Sequence, residues 1–114
     1  MSSVEKRQYQ RKLLHANAQI ADLMGRSWLP IHLLDISVSG IAFTTDEEIA
    51  IEDIRTIEFS LPESPNRIRC DLKVANMLVN HPDENSLPGK YRIGAILDRI
   101  EGSDIASIER FIQD

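Results

Sequence analysis

Asp35-Ile36-Ser37-Val38-Ser39-Gly40 lies between two apolar segments, Trp28 to Leu34 and Ile41 to Phe43. It reads as a strand running into a tight turn and out again. Asp35 and Ser37 are two positions apart, so an extended backbone would put a carboxylate acceptor and a hydroxyl on one face. Gly40 allows positive φ, or a close approach where any Cβ would clash. Asp, Ser and Gly are also ordinary turn formers, so D-x-S-x-x-G taken alone is equally a polar turn.

Outward from this turn the chain alternates apolar and polar residues in short runs. Leu14, Ala16, Ala18 and Ile20 have a period of two and indicate a first strand, with Met24-Gly25-Arg26-Ser27 as the hairpin turn after it. Trp28 to Leu34 is a second strand, with Pro30 marking an edge or a bulge, and Ile41 to Thr44 is a third. The acidic stretch Asp46 to Asp53 is a loop or crossover. Ile57, Phe59 and Leu61 form the next strand, and Pro62 to Asn66 a turn. Ile68, Cys70, Leu72 and Val74 give the cleanest alternation in the chain; it ends at Asn76, with Met77 to Val79 as a bent continuation. A polar loop from His81 to Gly89 precedes a last strand carrying Tyr91, Ile93, Ala95 and Leu97. Ile105, Ile108, Phe111 and Ile112 then fall at helical spacing, with Ser103 as the expected cap and Asp104 in the first turn. The pattern predicts an all-β domain over 13–114: a closed or nearly closed antiparallel barrel of six to seven strands, closure accounting for how so many strands avoid exposed edges, with a short C-terminal helix across one end. Residues 1–12 are polar and charged, and are expected to form a flexible arm.

Composition narrows the function. A net charge of −5 on 114 residues argues against a surface that grips DNA or RNA. The charge is uneven: Lys6 to Lys12 holds four basic residues and no acidic one, while Asp46 to Asp53 holds five acidic residues and no basic one. A small anion can therefore be drawn to the first segment. The single cysteine, Cys70, excludes an internal disulfide and sits on the apolar face of its strand as core filler. With no leader and no apolar run of about 18 residues, the expectation is a cytoplasmic protein without membrane insertion.

Arg7-Gln8-Tyr9-Gln10-Arg11 is R-x-x-x-R, just ahead of the first strand. An R-x-x-x-R arm before a first strand, D-x-S-x-x-G at the junction of the second and third strands, a late Tyr91-Arg92-Ile93-Gly94 strand and a closing helix together resemble the PilZ domain family. The resemblance covers nearly the whole chain. It implies a six-stranded barrel that binds the bacterial second messenger cyclic di-GMP through Arg7, Arg11, Asp35, Ser37 and Gly40. Lys6 joins these as a residue whose position is associated in the family with uptake of a stacked ligand dimer, although a solvated lysine is an equal reading. Ala95 after Gly94, Leu97 where a phenylalanine is frequent, and the long loop from Asn80 to Gly89 depart from the family pattern.

The residue chemistry agrees with this ligand. An arginine fork matches the O6/N7 edge of guanine, stacks on a purine and pairs with phosphate. A carboxylate such as Asp35 accepts from the opposite, N–H-bearing edge. Ser37 can bond base or phosphate, and Gly40 leaves room for the ligand. Ordering the arm would cost about 1–2 kcal/mol per residue, so it is expected to fold over the barrel mouth only when ligand binds. The resulting expectation is a stand-alone receptor or adaptor acting through an unidentified protein partner in motility or biofilm control. It involves no catalytic residues, no metal and no cofactor beyond the cyclic di-GMP ligand. The alternatives are a PilZ-like interaction scaffold that binds no nucleotide and an OB-like single-strand binder. The acidic balance and low aromatic content count against the latter. His15 and His32 read as ordinary strand histidines, and His81-Pro82-Asp83-Glu84 as a loop without metal-ligand spacing. Trp28 reads as core or rim, and Arg67, Arg69 and Lys73 as a solvated strand face.

Overall fold

The computed structural model describes residues 11–62, 64, 66–80 and 88–113. The described strands are β1 (Lys12–Ala21), β2 (Trp28–Ile36), β3 (Gly40–Thr45), β4 (Ile54–Ser60), β5 (Arg67–Val79) and β6 (Tyr91–Asp98), followed by a helix α1 (Gly102–Gln113). All neighbouring pairs are antiparallel, and the order β1-β2-β3-β6-β5-β4 closes on itself. The barrel thus has six strands among the described residues, the lower of the two expected numbers. Met77 to Val79 belong to β5, which runs on past a register shift between Val74 and Asn76. That shift is why the alternation breaks at Asn76 without a new strand beginning.

Inward positions on every strand meet in one core. Leu14, Ile20, Leu33, Ile36, Phe43, Ile57, Phe59, Ile68, Leu72 and Ile93 are all buried, at a spacing of two along each strand except across the register shift in β2, which turns both Leu33 and Ile36 inward. Cys70 shares that face, and burial pushes its thiol up to about 12, so it stays protonated and inert. Pro30 lies opposite Gln19 of β1, but β2 pairs with β3 only from His32 onward. The proline therefore sits where one side of β2 has no ladder to interrupt, which is the edge position expected of it.

Closure depends on a narrow seam. β1 meets β4 only at Gln19↔Glu58 and Ile20↔Ile57, and side chains reinforce it. Gln19 Nε2 donates to Glu58 Oε1 at 2.6 Å, and Arg55 NH1 donates to the Ala21 carbonyl at 3.1 Å while NH2 pairs with Asp53 at 3.2 Å. The bond from Gln19, followed by the nearby Arg67, holds the Glu58 carboxyl below its ordinary value.

The helix starts one turn position earlier than expected. The Glu101 carbonyl accepts from Asp104 N and Ile105 N, and Ser103 lies inside the helix, its carbonyl bonded by Ser107 Oγ at 3.1 Å. Glu101 therefore supplies the first carbonyl of the helix, and Ser103 is not the cap. Ile108 is fully buried, with Phe111 and Ile112 packed against the same core. At the other helix end, Lys12 Nζ donates to the Phe111 carbonyl at 2.9 Å and lies 4.5 Å from the Phe111 ring centre. A cation there complements the negative end of the helix dipole and ties the start of β1 to the plug. Replacing Ile108 with Ala should lower stability by about 2–5 kcal/mol, the range for emptying a fully buried isoleucine site, read as a drop in the urea midpoint at unchanged m-value.

Candidate functional site

The β2–β3 turn is held by one buried side chain. Ser37 N–H donates to the Gly40 carbonyl at 2.9 Å, and Ser37 Oγ accepts from the amides of Gly40 at 3.0 Å and Ser39 at 3.3 Å. Ser37 is 2 % exposed. It lies past the end of β2, so it does not stand beside the Asp35 carboxylate on a strand face. The expected shared face is replaced by a division of labour: the hydroxyl shapes the turn from inside, and the carboxylate faces outward.

Asp35 reaches that outward position through a register shift between Leu33 and Asp35 in the β2–β3 ladder. Its Oδ1 accepts a bond from Arg11 NH1 at 2.6 Å. The other terminal nitrogen of the same guanidinium lies 3.1 Å from where a Cβ on Gly40 would stand, and the Ala95 carbonyl is 3.0 Å from that point. Gly40 has no positive φ. It is glycine because an arginine and a backbone carbonyl occupy the space over it, so close approach and not backbone conformation is the operative requirement. Arg11, Asp35 and Gly40, spread over 30 positions of sequence, are thus one cluster, with Ser37 beneath it. Lys6 and Arg7 lie outside the described residues. The pair is solvent-facing, Arg11 being 42 % and Asp35 14 % exposed, so it contributes only about 0–1 kcal/mol to stability and is readily rearranged.

Other sequence candidates are placed elsewhere. Arg67 NH1 pairs with Glu58 at 3.0 Å, and Arg69 lies 5.2 Å from the centre of the half-exposed Trp28 ring. Both therefore serve the outer face beyond the turn, not the Asp35 cluster. The His81 to Glu84 segment lies outside the described residues, and among the described residues no group of three metal-ligating side chains occurs. His15 Nδ1 and His32 Nε2 are 3.3 Å apart on adjacent strands. One neutral ring can donate to the other, and partial burial, with His15 second, holds His32 below its ordinary 6.5. Lys12 was missed in the sequence because its carbonyl partner is 99 residues away.

A closed six-stranded antiparallel barrel with an end-capping helix, and an arginine–aspartate pair leaning over a glycine turn, defines a small β-barrel domain with a polar, anion-compatible rim. The PilZ domain family matches residues 5–114, and the chain belongs to that family. Three solved structures share the fold. The Bacillus subtilis inhibitor of motility MotI/DgrA superposes with a TM-score of 0.76 at 19% identity, over 94% of this chain and 50% of that one. The K. pneumonia MrkH–c-di-GMP complex gives 0.72 at 20% identity, over 95% and 51%. The PilZ domain of YcgR from Escherichia coli, with c-di-GMP, gives 0.67 at 16% identity, over 95% and 89%. The chain therefore spans about half the length of MotI and MrkH and most of the YcgR domain. No curated sequence relative matches it.

Two outcomes follow from this geometry. Ser37→Ala leaves the Gly40 and Ser39 amides without their acceptor, and should cost about 1–3 kcal/mol in chemical denaturation at pH 7.5. The folded state also resists protonating His32, so stability should decline as pH falls from 6.5 through the lower folded value. Melting temperatures taken between pH 7.5 and 5.5 should show this slope, and His32→Gln should flatten it.

Proposed function

We propose that this chain is a cyclic di-GMP receptor of adaptor type, which takes up the dinucleotide at the Arg11–Asp35–Gly40 rim and signals through a protein partner. The observation that carries the reading is the guanidinium held 2.6 Å from the Asp35 carboxylate and directly over Gly40. Arg11, remote in sequence from the Asp35–Gly40 turn, meets that turn at the rim with the charges such a ligand requires. A guanine presents paired acceptors at O6 and N7 to an arginine fork, and its N–H-bearing edge to a carboxylate. Its phosphates add anionic acceptors for the same guanidinium. Because the ion pair is exposed and weak, Arg11 can turn from Asp35 to the ligand at small cost, freeing the carboxylate to accept from the base.

Family membership supports the ligand, as do the two solved relatives whose structures contain c-di-GMP. Arg7 completes R-x-x-x-R and is assigned to the second guanine or a phosphate, with Lys6 beside it. The rim supplies binding groups, and the output is assigned to a partner that reads the occupied rim. A bacterial, cytoplasmic setting follows from that ligand, and the absence of a long apolar helix among the described residues is compatible with it.

Calorimetric titration of cyclic di-GMP into the full chain tests this reading. The parent should bind, and Arg11→Ala and Asp35→Ala should each weaken binding by about 1–3 kcal/mol, the worth of one good base contact. Because Arg11 and Asp35 form only a surface pair, ligand-free melting should barely move. A parent chain that releases no heat would move the assignment to a scaffold that binds protein without nucleotide.

A further inference from the structure

One cross-strand row on the outer face of the barrel starts at the exposed Leu13 on β1, opposite Asp35, and runs on from Asp35 across three more strands. Asp35 on β2 stands opposite Ala42 on β3, Ala42 opposite Gly94 on β6, and Gly94 opposite Asn76 on β5. Three strand spacings separate the Asp35 and Asn76 backbones by about 14 Å. Between Asp35 and Asn76 the positions carry a methyl group and a hydrogen, so that part of the row is low and bounded by two polar side chains.

Asn76 is folded onto that low part. Its Oδ1 and Nδ2 lie 2.8 and 3.0 Å from where a Cβ on Gly94 would stand, so the carboxamide covers Gly94 on the neighbouring strand. Among the described residues this amide has no hydrogen-bond partner. Asp35 and Asn76 also share a backbone device. The β2–β3 register shifts between Leu33 and Asp35, and the β5–β6 register shifts between Val74 and Asn76. A bulge re-aims the side chain beside it, and here one bulge lies next to each of these two polar residues of the same row.

We infer that Asn76 is the far wall of the nucleotide site and donates a hydrogen bond to the ligand from the side opposite Asp35. The inference rests on the receptor reading above and adds a residue to it. A base lying over Ala42, between Asp35 and the carboxamide that covers Gly94, with its N–H-bearing edge on Asp35, turns N7 and O6 toward Asn76, both acceptors. Phosphate oxygens are acceptors too. An amide Nδ2 complements either, whereas a carboxylate in its place repels both.

Cyclic di-GMP titrated into the full chain, Asn76→Ala and Asn76→Asp tests this directly. The alanine variant should raise Kd about 5- to 100-fold, the span for one lost base contact. The aspartate variant should raise it further, because it sets a negative charge against acceptors. Ligand-free melting of both should match the parent, since Asn76 is exposed. If the parent binds and Asn76→Ala binds equally well, or Asn76→Asp binds no worse than Asn76→Ala, the inference is overturned while the receptor reading stands. Silence from the parent overturns the receptor reading itself, and Asn76 with it.

Discussion

A serine hydroxyl with almost no solvent contact accepts two backbone amides and thereby holds the end of one β-hairpin. The rim residues take their positions from that hairpin. Gly40 follows directly from the Ser37 bond, and β3 enters the barrel at Gly40. Asp35 leaves β2 two residues before Ser37, aimed outward by the bulge that follows Leu33. Arg11 then sets one terminal nitrogen against the carboxylate and the other above the missing side chain of the glycine. A buried polar group is costly unless its bonds are made. The same satisfied hydroxyl therefore both stabilises the turn and fixes its shape.

The barrel around this turn is closed, yet not uniformly. Most ladders run for many residues, but β1 touches β4 over only two paired positions. The seam is completed by the Gln19–Glu58 bond and by the nearly buried Arg55, which spans from Asp53 to the Ala21 carbonyl. β1 is secured at its opposite end by Lys12, which binds the last turn of the helix. Arg11 immediately precedes that anchor. The segment that would carry a ligand-induced change is thus joined to the helix plug through one residue, a short mechanical path from the rim to the far element of the fold.

The receptor reading and the row from Asp35 to Asn76 describe one surface. Closed barrels bury alternate residues and display the rest, so a groove on the outside must be built from small side chains flanked by larger ones. Ala42 and Gly94 form that low ground, with Asp35 and Asn76 as its polar ends. The exposed Ile96, opposite Gly40, borders it on the next row.

Much of this was legible in the chain alone. Period-two runs located β1, β4, β5 and β6, because a barrel strand buries one face and shows the other, and β2 and β3 were read from the apolar segments flanking the Asp35–Gly40 turn. Helical spacing located Ile108 and its neighbours for the same reason. D-x-S-x-x-G and R-x-x-x-R marked the turn and its cationic partner as residue types suited to one another. Strand count and helix start were less well determined, since a bulge imitates a strand break and a carbonyl can begin a helix without a side-chain cap. What only the tertiary structure decided was contact across distance. It turned Ser37 inward, placed Arg11 over Gly40 and laid Asn76 across Gly94, because the register of paired strands, set by bulges and ladder bonds between segments remote in sequence, determines which outward side chains meet.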